Sequence, residues 1–177
     1  MKIKEMLTID LSVDIKNVID LEDVTEAAIQ SEIENYIITE GLAKEYDSFI
    51  STYLSNKSGT GAWLSGFYGS GKSYFGKILG YLLSNQKIGG SFSRDRILQR
   101  FTGLQNDSII QNSISRLDTV TSRVVFFDIT KQISSNNWDK KGLAFILFIN
   151  FLRSLGLPTN EHGMLLYQIL IQKRMIS

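Results

Sequence analysis

The 177-residue chain has no cysteine, one histidine and one proline. Without cysteine there can be no disulfide and no thiolate metal site, which fits a reducing compartment. His162 stands with no second histidine beside it, so it reads as a loop or capping residue and not as a metal ligand. Excess charge of either sign is also missing. Nineteen basic residues against 18 acidic ones leave a formal charge of +1, so no global electrostatic argument for nucleic acid can be made. Long apolar runs are lacking as well. MKIKEMLTIDLSV at the N-terminus has no run of signal-peptide length, and GLAFILFINFL (142–152) falls short of the roughly 20 residues that span a bilayer. The expectation is a cytoplasmic protein with no membrane partner. No internal repeat, low-complexity tract or Ser–His–Asp arrangement is present.

What remains is ordinary for a soluble globular chain about one domain long, with 43% hydrophobic and 21% charged residues. Residues 1–24 read as short strands or an extended arm. Asp23 and Glu26 have the spacing of a capping box, and Ile29, Ile33, Tyr36 and Ile37 follow at helical spacing. A second helix is expected from near Thr39, with Leu42, Tyr46, Phe49, Ile50 and Tyr53 on one face. SNKSGTG (55–61) is the clearest loop. It divides an N-terminal lobe (1–58, mostly helical after residue 23) from a second part (59–177). There AWLSGF reads as a buried strand with Trp63 in the core, and KSYFGKILGYLLSN as a helix with Phe75, Ile78, Leu79, Leu82 and Leu83 on its stripe. SRDRILQRF and DSIIQNSISRL suggest short helices. RVVFFDI reads as a second buried strand and KQISSNNW as a loop. WDKKGLAFILFINFLRSLG reads as a helix ended by Gly156 and Pro158, and Thr159 could cap a last helix, MLLYQILIQKRM.

Between the first strand and its helix lies SGFYGSGKS. Gly66, Gly71, Lys72 and Ser73 satisfy G-x-x-x-x-G-K-[ST], the Walker A pattern, in the required order of strand, glycine loop and helix. A loop that wraps its N–H groups around phosphate needs unusual dihedrals and close approach, which Gly66, Gly69 and Gly71 permit. The helix N-terminus adds partial positive charge. Lys72 would reach the β- and γ-phosphates of ATP, and the Ser73 hydroxyl would hold Mg²⁺. The expected nucleotide site is Gly66, Phe67, Tyr68, Gly69, Ser70, Gly71, Lys72 and Ser73.

Such sites usually take a second carboxylate from a neighbouring strand. Asp128, after four apolar residues, is a candidate for Mg²⁺. The stronger reading makes VVFFD a non-catalytic core strand, because Ile129 rather than an acidic residue follows it. Asp118 and Asp139 are weaker candidates. The expected fold is α/β, a parallel-sheet core of P-loop NTPase type (AAA+/ASCE-like) with an N-terminal helical lobe. About two strands are read where such sheets usually have about five or more. The chain is therefore expected to be the front of a longer protein, with the ATPase domain cut short at its C-terminus.

Several stretches resemble the N-terminus of the BREX phage-exclusion P-loop ATPases, the BrxC/PglY family. They are MKIKEMLTIDLSVDIKNVI, SEIENYIITEGLAKEYDSFISTYL, GAWLSGFYGSGKSYFGKILGYLL and VVFFDITKQ. The resemblance covers roughly 1–155 and is weakest over 89–120. It implies an ATP-binding component of a bacterial anti-phage defence complex that includes a DNA methyltransferase, with DNA reached through that complex. It also implies ATP over GTP, leaves a homo-oligomer open, and supports the non-catalytic reading of Asp128. Similarity to AAA+ initiator and STAND ATPases keeps a broader ATPase reading in view. So does an assembly module whose helices (23–54) dock a partner. Phe67 and Tyr68 are read as contacting adenine or a partner, or as packing on the N-terminal helices. Arg94, Arg96 and Arg100 are read as solvated surface in preference to arginine fingers. Lys173 and Arg174 suit a helix C-terminus.

Overall fold

The computed structural model describes residues 19–55, 61–131 and 142–160. The readings of residues 1–18, of the loops over 56–60 and 132–138, of MLLYQILIQKRM, and of Asp139, His162, Lys173 and Arg174 lie outside them. The first helix, α1 (Glu26–Asn35), is capped by Thr25, whose hydroxyl accepts from Ala28 N at 3.4 Å. Asp23 Oδ1 in turn accepts from the Thr25 hydroxyl at 2.8 Å, so Asp23 supports the cap instead of pairing with Glu26 as a capping box. Ile29, Ile33 and Tyr36 are buried as their spacing predicts, but α1 stops at Asn35 and Ile37 lies in solvent. Thr39 begins α2 (Glu40–Ser55): its hydroxyl accepts from Leu42 N at 3.3 Å. Tyr46 and Ile50 of α2 are completely buried.

Helix α3 (Lys72–Ser84) forms the centre, and Phe75, Ile78, Leu79, Tyr81 and Leu82 are buried along it. Left-handed Asn85 ends it. A hairpin follows, β1 (Lys87–Ile88) and β2 (Ser91–Phe92), antiparallel with Lys87 opposite Phe92. Gly89 and Gly90 both have positive φ, which a two-residue type I′ turn demands. Next come α4 (Ser93–Phe101), α5 (Asp107–Arg116), a 3₁₀ turn (Leu117–Thr119) and α6 (Leu143–Ser154). One cluster of buried side chains runs from Ile29 to Leu117, joining α1–α5. Tyr46 sits in it, stacked on Phe75 at 4.2 Å and edge-on to Phe101 at 5.9 Å between ring centroids.

The expected parallel sheet is not formed among the described residues. The described residues are mostly helical, and their only sheet is the two-stranded hairpin. AWLSGF has no regular structure and is exposed throughout, Trp63 included. The segment 123–128 also lacks strand pairing, yet residues 124–128 are half-buried. Its continuous apolar run has another cause: Val124 and Phe126 lie against α3, while Phe127 packs with Ile146 and Ile149 of α6. Helices on both sides impose the continuous apolar run that a strand buried on both faces would have. Gly80 permits this approach, because a Cβ there would collide with Phe126 and stand 3.0 Å from Val124 Cγ1.

Candidate functional site

The chain reverses at residues 67–70, where Ser70 N donates to Phe67 O at 3.2 Å. Gly69 occupies the third position of this turn with φ 78°, the position at which a type II turn requires glycine. Gly71, φ 80°, is the N-cap of α3 and offers no side-chain cap. No acidic residue lies in the first turn of that helix. The N–H groups at its start, and the partial positive charge they carry, are therefore left for an anion.

Lys72 folds back over the loop. Its ammonium donates to Gly66 O at 2.8 Å, to Phe67 O at 2.6 Å and to Ser70 Oγ at 3.4 Å. The cradle is tight: a Cβ on Gly66 would stand 2.7 Å from Ser70 Oγ and 3.6 Å from Lys72 Cδ. Glycine at 66 thus lets Ser70 and Lys72 fill the inside of the turn. The residues present fit a polyphosphate: an ammonium held over the loop by neutral carbonyls, an uncapped helix N-terminus, and the exposed Ser73 hydroxyl. A hydroxyl is an adequate protein ligand for Mg²⁺, which takes much of its coordination from water and phosphate.

The other sequence candidates are placed elsewhere. Asp128 accepts from Thr130 N at 2.8 Å and Thr130 Oγ1 at 2.6 Å, capping its own helical turn. Those bonds hold its carboxyl below the usual range. Among the described residues it makes no hydrogen bond to Lys72 or Ser73. Arg94, read as surface, is buried instead, with Nε 3.1 Å from Leu82 O and an ion pair to Asp118. Arg100 donates to Tyr36 O at 3.0 Å, and Arg96 to Ile88 O at 3.2 Å. These arginines tie α4 to its neighbours and are not free fingers. Phe67 and Tyr68 do not pack on the N-terminal helices, since they are 91% and 96% exposed.

Sequence reasoning missed the polar group that anchors α3 behind the loop. Lys77 is fully buried, and all three of its donors are taken: Asp20 O, Asp23 O and Glu32 Oε1, each at 2.7 Å. Glu32 Oε2 accepts from Tyr81 Oη at 2.6 Å, and Glu32 O from Tyr74 Oη at 2.5 Å. The available signal was a charge inside an apolar stripe, FGKILGYLL, where a lysine must find a partner. Segment 19–25, held in this way, also reaches the far segment: Lys131 Nζ lies 2.9 Å from Asp20 Oδ1, and Asp128 N donates to Glu22 Oε1 at 3.3 Å. No protein-family model matches the chain, and no solved structure matches it.

Among the described residues no helix is long and apolar enough to cross a membrane.

Proposed function

We propose that the chain binds Mg-ATP through the loop Gly66–Ser73, as the nucleotide-binding component of a cytoplasmic bacterial anti-phage defence complex of BREX type. The observation that carries the nucleotide reading is the Lys72 ammonium, held by Gly66 O and Phe67 O above an uncapped helix N-terminus. A polyphosphate entering the loop takes over the ammonium from the carbonyls and receives the N–H groups at the start of α3. Ser73 contributes one oxygen to Mg²⁺. The defence role and its partners, other proteins of the complex and DNA reached through them, rest on the resemblance in sequence. The proposal concerns binding and assigns no carboxylate to hydrolysis.

A second reading, a non-enzymatic assembly module, draws on α6. Leu143, Leu147, Phe151 and Leu155 recur every fourth residue along it and are all exposed. Calorimetric titration with Mg-ATP separates the two. Saturable binding that Lys72→Ala abolishes is the expected result, and binding indifferent to Lys72, or absent, favours assembly.

A further inference from the structure

Three aromatic rings beside the loop serve no packing purpose. Trp63 and Phe67 are each 91% exposed and Tyr68 is 96% exposed. Large apolar side chains left in water retain the free energy of burial for whatever covers them. Their position restricts what that is. The Phe67 carbonyl accepts from Lys72 Nζ at 2.6 Å, so the Phe67 ring branches from the residue that holds the phosphate-binding ammonium. Tyr68 follows at the corner of the same turn, and Trp63 stands at the foot of the segment that leads into it. A nucleotide whose phosphates occupy the loop carries a flat ring one sugar away.

We propose that Phe67 and Tyr68, both exposed at the turn of the loop, form a stacking platform for the nucleobase. The inference rests on the reading of the loop as a nucleotide site and adds to it the group that binds the base. Stacking uses the π-face that every base has, so it tolerates the identity of the base. Phe67 has no polar side-chain atom and Tyr68 has a single hydroxyl, too few groups to read a base edge in full. The platform therefore favours nucleotides over bare polyphosphate and discriminates weakly between adenine and guanine, in contrast to the ATP preference implied by the family resemblance.

The test is calorimetric titration of the 177-residue chain with Mg-ATP, Mg-GTP and Mg-tripolyphosphate. Wild type, Phe67→Ala/Tyr68→Ala and Lys72→Ala are compared, with circular dichroism confirming their fold. In the wild type, both nucleotides are expected to bind roughly tenfold tighter than tripolyphosphate and within about threefold of each other. In the double variant the ratio of nucleotide to tripolyphosphate affinity falls to about one. An unchanged ratio in the double variant overturns the platform while leaving the phosphate loop in place. So does a wild type that prefers neither nucleotide to tripolyphosphate. Self-association lost in the double variant, seen by sedimentation, would give the rings to a second copy and likewise overturn it. Failure of all three ligands to bind wild type, or equal binding by Lys72→Ala, removes the nucleotide site and this inference with it.

Discussion

Helix α3 begins in solvent and ends in the core, and its two lysines mark the difference. Lys72, in the first turn, is bonded among the described residues within its own loop, to Gly66, Phe67 and Ser70. Lys77, little more than a turn later, is fully buried and bridges segment 19–25 and α1 to α3. The same side chain thus does two jobs according to what surrounds it. Lys72, the charge that the proposed function gives to a ligand, is balanced by weak neutral acceptors that can be exchanged. A charge that must hold elements together is paired with a carboxylate and shut away from water, where removal of one partner is severe. If the proposed function holds, stability and ligand binding are separable along this one helix.

Lys77→Met should have the largest effect on stability. It leaves Glu32 without its cation and the carbonyls of Asp20 and Asp23 without a donor, and loss of one partner in a buried pair costs about 3–5 kcal/mol. Because the Glu32 side chain keeps 15% exposure, the lower end of that range is expected, about 3 kcal/mol by urea unfolding. A loss below 1 kcal/mol would erase the contrast with Lys72. Next in size is Gly80→Val, which drives side-chain atoms into Phe126 and Val124. An overpacking cost of about 2 kcal/mol is expected, again by urea unfolding. Unchanged stability would show that segment 123–128 yields freely.

A smaller, graded effect follows from the tyrosines around this core. Burial, and next the Glu32 charge, push Tyr74 up to about 12 from its ordinary value of 10.0, and burial raises Tyr36, Tyr46 and Tyr81 as well. Unfolded tyrosines lose their protons near pH 10 while the folded ones retain them, so the unfolded state is favoured as pH rises. The contribution is complete below pH 10 and is lost as pH climbs toward 12 and beyond. Melting temperature should hold steady from pH 8 to about 9.5 and then fall. A flat profile to pH 11 would argue against the buried tyrosine cluster. The smallest expected change in stability is that of Lys72→Ala, within about 0.5 kcal/mol of wild type, although the same change should abolish Mg-ATP binding. A large destabilisation would mean that the loop braces the core.

The helical elements were largely legible. Ile29, Ile33, Tyr46, Ile50, Phe75, Ile78, Leu79 and Leu82 recur at helical spacing and are buried. Thr39 marks the start of α2 by its hydroxyl, and Asp95 and Asp107 in the first turns of α4 and α5 suit the helix dipole. The two strand assignments failed for different reasons. AWLSGF is a short apolar run, and a run of that length specifies neither a strand nor its burial. VVFFD is covered on both sides, as a central strand would be, but by α3 and α6. Arg94 was misjudged because composition places arginine at the surface, whereas the carbonyl of Leu82 and the carboxylate of Asp118 receive it inside.

By itself the sequence determined the helical periodicities, the chain reversals at glycine and the residue types of the loop at 66–73. Each of these is a local property of spacing or of permitted dihedrals. Only the tertiary structure decided that VVFF meets helices instead of another strand, that Lys77 is buried against Glu32 while Lys72 stays at the surface, and that Trp63, Phe67 and Tyr68 stand in water. Those outcomes depend on which distant segment supplies the partner, and no single stretch of chain carries that information.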